Sequence, residues 1–156
     1  CTTTPLKTGE FGATAFSGAI SCLGGAHCRF HHLTIEHVGS LGLTVRADSS
    51  EISHCIIRHT GAGGIGFDGN DNRLVDNFIH HVGLHYASAI GFIGGGERDS
   101  LLHNAFHHMP YSAICYSGKA SVIAHNLFDN IMTELDDGGA FCVIMSQNIL
   151  LRGNVV

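Results

Sequence analysis

At 156 residues the chain suits a single domain with a sizeable core, and its 44% apolar and 13% charged composition excludes both a disordered tail and a polybasic binder. A net charge of −5 argues against a nucleic-acid partner, since phosphate binding needs clustered Lys and Arg, and it weighs against an acidic polysaccharide without excluding one. No apolar run reaches the roughly 18 residues needed to span a membrane.

Residues 1–27 read as a lead-in or partial coil, and residues 28–156 as a repeat array. The chain opens on Cys1 and stops at "GNVV" in mid-pattern. It therefore reads as a segment of a longer protein, with flanking coils of the same chain as neighbours. Five stretches align from residue 33 onward: "LTIEH", "CIIRH", "NFIHH", "NAFHH" and "NLFDN", and a sixth copy begins at Asn154. Their starts are 22, 22, 27, 22 and 28 residues apart. Three residues upstream of each start stands an apolar residue: Phe30, Ile52, Leu74, Leu101, Ile123 and Leu151. Downstream comes a second short apolar strand: "GLTV", "GIGF", "AIGF", "AICY" and "AFCV".

Units of 22–28 residues, each holding three short strands and varying only in their turns, predict an all-β right-handed parallel β-helix, a solenoid of about five to six coils. Successive coils then lie about 4.8 Å apart. Alternation along the second strand places Ile65, Ile90, Ile114 and Phe141 inside. It places Gly64, Gly66, Ala89, Gly91, Ala113, Cys115, Ala140 and Cys142 outside, as a floor of small residues. No LxxLxLxxN signature and no sustained helical period compete with this reading.

The units "HNAFHHMPYSAICYSG" and "HNLFDNIMTELDDGGAFC" resemble the repeats of the pectate-lyase-like superfamily, and among its members most closely the bacterial β-helix glycoside hydrolases. The resemblance covers roughly residues 28–156. It implies a secreted, periplasmic or cell-surface protein acting on a polysaccharide or oligosaccharide.

Asn77, Asn104, Asn126 and Asn154 hold one slot in successive coils, which suits a turn residue and a ladder of stacked amides. Cys55 shares the slot. His59, His81 and His108 form one column; His80 and His107 form another with Arg58 and Asp129. They read as surface ladders, and neither a metal nor a cofactor is expected. The six cysteines (1, 22, 28, 55, 115 and 142) show no zinc-like spacing. They read as free thiols, although Cys22 and Cys28 could bridge a short loop.

The turn before the floor strand grows along the chain and gains His85, Tyr86, Tyr111, Ser112, Glu134, Asp136 and Asp137. Insertions in a repeat fold gather on the binding face. His85, Tyr86, Tyr111, Ser112 and Glu134 are therefore the candidate substrate-binding residues, the tyrosine rings packing on sugar faces. In the resembled hydrolases an Asp just before a Gly-Ala strand is a catalytic carboxylate. This implies Asp137 here, with Asp136 as its partner or a second acid on a following coil. Glycosidic cleavage uses two such carboxyl groups, and the resemblance implies inversion. A polysaccharide lyase or epimerase would need cations at the groove, for which Lys119 and Arg152 are the candidates. A non-catalytic glycan-binding scaffold is the third reading. Asp68, Asp71, Glu97 and Asp99 fall beyond the floor strand and read as solvated loop, with Glu97 and Asp99 in an insertion after "GGG".

Overall fold

The computed structural model describes residues 17–156, so Cys1 lies outside them. Among these residues every element is a strand, and the strands coil into three parallel sheets. The first sheet stacks β1 (Gly18–Ala26), β4 (Leu41–Asp48), β7 (Ile65–Asp68), β10 (Phe92–Glu97), β13 (Ile114–Lys119) and β16 (Phe141–Val143). The second stacks β2 (Arg29–His31), β5 (Glu51–Ser53), β8 (Arg73–Val75), β11 (Ser100–Leu102), β14 (Val122–Ala124) and β17 (Leu150–Arg152). The third holds β3 (Thr34–Val38), β6 (Ile56–Thr60), β9 (Phe78–His80), β12 (Ala105–His107) and β15 (Leu127–Asp129). Each strand bonds to its counterpart one coil away, as the repeat predicts. The apolar column Phe30, Ile52, Leu74, Leu101, Ile123, Leu151 pairs rung by rung.

All three corners use one device, a single residue in the left-handed region. At the first corner it is His27, Ser49, Asp71, Arg98, Ala120 and Asn148, and at the second His32, His54, Asp76, His103, His125 and Gly153. At the third it is His37, His59, His81, His108 and Asn130, with φ between 50° and 55°. Nine of the thirteen histidines occupy such positions. Histidine, asparagine and aspartate tolerate this conformation better than most residues, so the histidine content is largely a property of the backbone path. The ladder asparagines themselves follow the left-handed residue and do not adopt it.

The residue after each left-handed corner turns inward. At the second corner it is Cys55, Asn77, Asn104, Asn126 and Asn154, and here the expected ladder forms. Asn104 Nδ2 donates to Asn126 Oδ1 at 3.0 Å and to the Leu74 carbonyl at 2.9 Å; its Oδ1 accepts from Asn77 N and Nδ2 at 3.0 and 2.9 Å. Cys55 starts the series, its N–H on Asn77 Oδ1 at 2.9 Å. The first corner carries a parallel series of Cys28, Ser50, Asn72, Asp99 and Ser121. Cys22 and Cys28 place their sulfurs 3.5 Å apart as thiols.

The inner stack of the first sheet differs from expectation at one rung. Ile65 pairs with Phe92, which pairs with Ile114 and then Phe141, so Phe92 and not Ile90 fills the core there. The five extra residues of that coil all lie in the turn between β9 and β10, which displaces "AIGF" by two positions from "GIGF". The floor changes accordingly. Gly64, Gly91 and Ala113 face the core: a side chain on Gly64 would meet Ile79, one on Gly91 would meet Phe106 and Met109, and Ala113 lies in the main apolar cluster. Ala140 packs on that cluster, and Ala89 packs with Ala62. Of the expected floor, Gly66, Cys115 and Cys142 remain outward. The "GGG" run is also no loop. Gly94, Gly95 and Gly96 are interior to β10, where a Cβ would strike the Phe67, Ser117 and Gly69 carbonyls respectively.

Candidate functional site

The outward face of the first sheet carries two side-chain columns. One runs Thr44, Gly66, Ile93, Cys115, Cys142; the other runs Arg46, Asp68, Gly95, Ser117 and Ile144. Between them lies a shallow trough. A depression of about 440 Å³ is lined by Asp68, Ile93, Gly94, Gly95, Cys115, Ser117 and Ile144. A second, of about 240 Å³, shares Asp68, Ile93 and Gly94 and extends to Leu41, Thr44 and Arg46.

The third-corner turns pack on the first of these two columns. Ile90, Tyr111 and Cys115 form an apolar cluster outside the sheet, and Ile93, Met132, Leu135 and Cys142 pack on it. Turn 131–140 is anchored by its backbone: Thr133 N donates to the Met109 carbonyl at 3.0 Å, and Glu134 N and Leu135 N donate to Pro110 at 3.1 Å. Gly138 lies against the Tyr111 ring, where a Cβ would come within 2.8 Å. The Tyr111 hydroxyl donates to the Asp137 carboxylate. Burial first, then the neighbouring Asp137 charge and this bond, push its pKa up.

The expected site residues divide into two groups. Asp136, Asp137, Glu134 and His85 are exposed. Tyr111 is 6% exposed and Ser112 fully enclosed, its Oγ 3.9 Å from Cys142 Sγ. These two seat the acidic turn and do not present a free surface. Tyr86 packs against Ala62 and Ala89, and His85 lies over Gly61, two coils before the acidic turn. Tyr111, Ser112 and Asp137 are thus brought together, while His85 and Tyr86 form a separate patch at the same corner.

The family described as right handed beta helix region matches residues 18–156. The chain belongs to that family. No curated protein and no solved structure gives a match. Within this β-helix, two acids read as solvated loop have other places. Asp68 ends β7 and faces the trough, 3.8 Å from Arg46 Nε; partial burial raises its pKa against the pull of that cation. Asp99 is 5% exposed, accepts from Tyr116 Oη at 2.9 Å, and is raised by burial to about 6. Asp71 and Glu97 do lie in solvent, both paired with Arg98.

Sequence reasoning missed Arg46, Asp68, Ile93 and Ser117 as trough residues. Placing the whole five-residue insertion in the turn, by counting back from the Asn72 and Asp99 slots, recovers their columns. It also missed a carboxylate among the ladder histidines. Glu36, His37 and His59 bring one ligand atom each within 4.8 Å of one another. Within its expected column His81 stacks on His108 at 4.5 Å, but other contacts cross columns: His80, which is buried and not a surface rung, has its Nδ1 2.9 Å from His81 Nδ1. Burial, followed by the neighbouring His81, His59, Arg58 and His107, lowers the His80 pKa to about 4.

Proposed function

We propose that this β-helix is the polysaccharide-binding body of a carbohydrate-active enzyme, a glycoside hydrolase with Asp137 and Asp136 as its acid–base carboxyl groups. The observation that carries the reading is the anchored turn 131–140. It carries two exposed aspartates, one of them hydrogen-bonded by the Tyr111 hydroxyl, on a turn whose Met132 and Leu135 pack beside the sheet-face residues Ile93 and Cys115. A trough crossing successive rungs suits an extended polymer, because its small and apolar lining, Gly66, Gly95, Ile93 and Cys115, lets a sugar ring lie flat. Tyr111 positions Asp137 for the role of base. Asp136 then donates the proton to the leaving oxygen, or an acid on a following coil does so. Exposed Glu134 on the acidic turn, and exposed His85 with Tyr86 two coils earlier, flank the bound chain. Secretion or display at the cell surface goes with such a substrate.

The test is release of reducing ends from a panel of neutral and mildly acidic glycans by the full-length protein. Asp137→Asn should lower turnover by about 10²–10⁴-fold with the fold intact. Unchanged cleavage would remove Asp137 from the chemistry. Ultraviolet absorbance from an unsaturated product would instead favour a lyase, for which Arg46 in the trough is a better-placed cation than Lys119 or Arg152. Glycan binding without turnover in any condition would leave a scaffold.

A further inference from the structure

We propose that the third corner binds a divalent transition-metal ion through Glu36, His37 and His59. The backbone explains why a left-handed residue stands at positions 37 and 59, and the Arg58 pair explains the direction of Glu36, but neither accounts for the unpartnered buried nitrogen of His59 beside them. Glu36 precedes His37 on β3, and His59 follows Arg58 on β6, one coil on. The two imidazoles stack with centroids 5.1 Å apart and planes 4° from parallel. Among the described residues this is the one place where three ligand-type groups lie within 4.8 Å of one another. His103 and His125 stack almost identically at the second corner, at 5.2 Å and 9°, without a carboxylate converging on both.

One further observation points to a ligand, and a second shows that the carboxylate is held in place to serve it. Nδ1 of His59 is buried with no hydrogen-bond partner, although buried ring nitrogens are ordinarily satisfied. Glu36 Oε2 accepts Arg58 Nε at 2.6 Å, which fixes the carboxylate's direction, and a carboxylate has lone pairs to serve both a guanidinium and a metal. Two imidazoles and one carboxylate suit Zn²⁺, Ni²⁺ or Cu²⁺ better than Ca²⁺ or Mg²⁺. Metal–nitrogen bonds of about 2.0–2.1 Å require the donors to draw closer than they stand here. His37 is exposed and Glu36 half-buried, so a side-chain rotation of His37 supplies most of that movement. The bound ion would clamp β3 to β6 and close the early coils together.

Titration calorimetry of the intact chain with ZnCl₂ and, separately, NiCl₂ tests this. The expected result is saturable binding of one equivalent together with a rise in the unfolding midpoint. His59→Asn should weaken binding by about tenfold or more and remove the midpoint rise. Asparagine is the suitable replacement because Asn130 already holds the same slot at φ 54°, so the corner survives the change. His103→Asn is the matched control and should leave binding unchanged. Absence of saturable binding, binding indifferent to His59→Asn, or binding lost in His103→Asn would each overturn the proposal.

Discussion

The second and third corners are made by the same left-handed turn, yet one is invariant and the other carries every long insertion. The difference lies one residue downstream. After the second corner comes an inward polar group that bonds to the next coil: Asn77, Asn104, Asn126 and Asn154 lock their coils together through buried amides. After the third come Val38, Thr60, Val82, Met109 and Ile131, four of the five apolar, where no such ladder forms. A hydrogen-bonded ladder tolerates neither insertion nor change of register, whereas apolar packing under a turn leaves the turn free to grow. The variable corner can therefore display Asp136 and Asp137 because the invariant one holds the coils in place.

Cutting the ladder should have the largest effect. Asn104→Ala leaves the Leu74 carbonyl and the Asn77 N–H without partners in the core, at a cost of about 3 kcal/mol or more, read as a fall in the urea midpoint. The first corner's parallel series contains a weaker member. Asp99 keeps its proton up to about pH 6 in the fold but releases it near 3.8 when ionising ordinarily. The unfolded chain thus binds fewer protons between these values, so Asp99's contribution is present at low pH and fades as pH rises through 6. Its near neighbours are Tyr116, Asp71 and Arg98. Asp99→Asn should stabilise the protein by about 1–2 kcal/mol above pH 7 and flatten this limb. His80 works in the opposite sense: held neutral down to about 4, it costs stability as pH falls below 6.5, so acid unfolding should persist in Asp99→Asn. The smallest effect belongs to the third corner. Two residues inserted after His85 should cost under about 1 kcal/mol in the same urea measurement.

The coil period, the apolar column and the asparagine ladder were legible because each repeats at the spacing of the coil and depends on residue type alone. The acidic turn was legible as an insertion with charges in it, though its seat on Tyr111 and Ser112 was not. Register in the third long strand was misread because "AIGF" matches "GIGF" in letters while the hydrogen bonds match Phe92 to Ile65. An apolar alternation of period two fits equally well when shifted by two, and only an invariant slot elsewhere in the coil resolves the shift. Asp99 escaped notice for another reason. "ERDS" has the composition of a solvated loop, and nothing local reveals that Tyr116, seventeen positions on, folds its hydroxyl over the carboxyl group. Nor could spacing alone separate histidines serving the backbone from a pair standing beside Glu36.

The amide stack at the second corner also has a head and a tail. Asn77, Asn104 and Asn126 each donate one Nδ2 hydrogen forward to the Oδ1 of the next asparagine, ending at Asn154, while a second Nδ2 hydrogen returns to a carbonyl of the coil before. Their dipoles therefore add, and each link polarises the next. Cys55, with a thiol in place of the amide, ends this wire by turning its proton aside to the Phe30 and Ser53 carbonyls. The solenoid is thus directional in its electrostatics as well as in its winding, and a break at the middle of the wire isolates two short pieces where a break at its tail removes only one link.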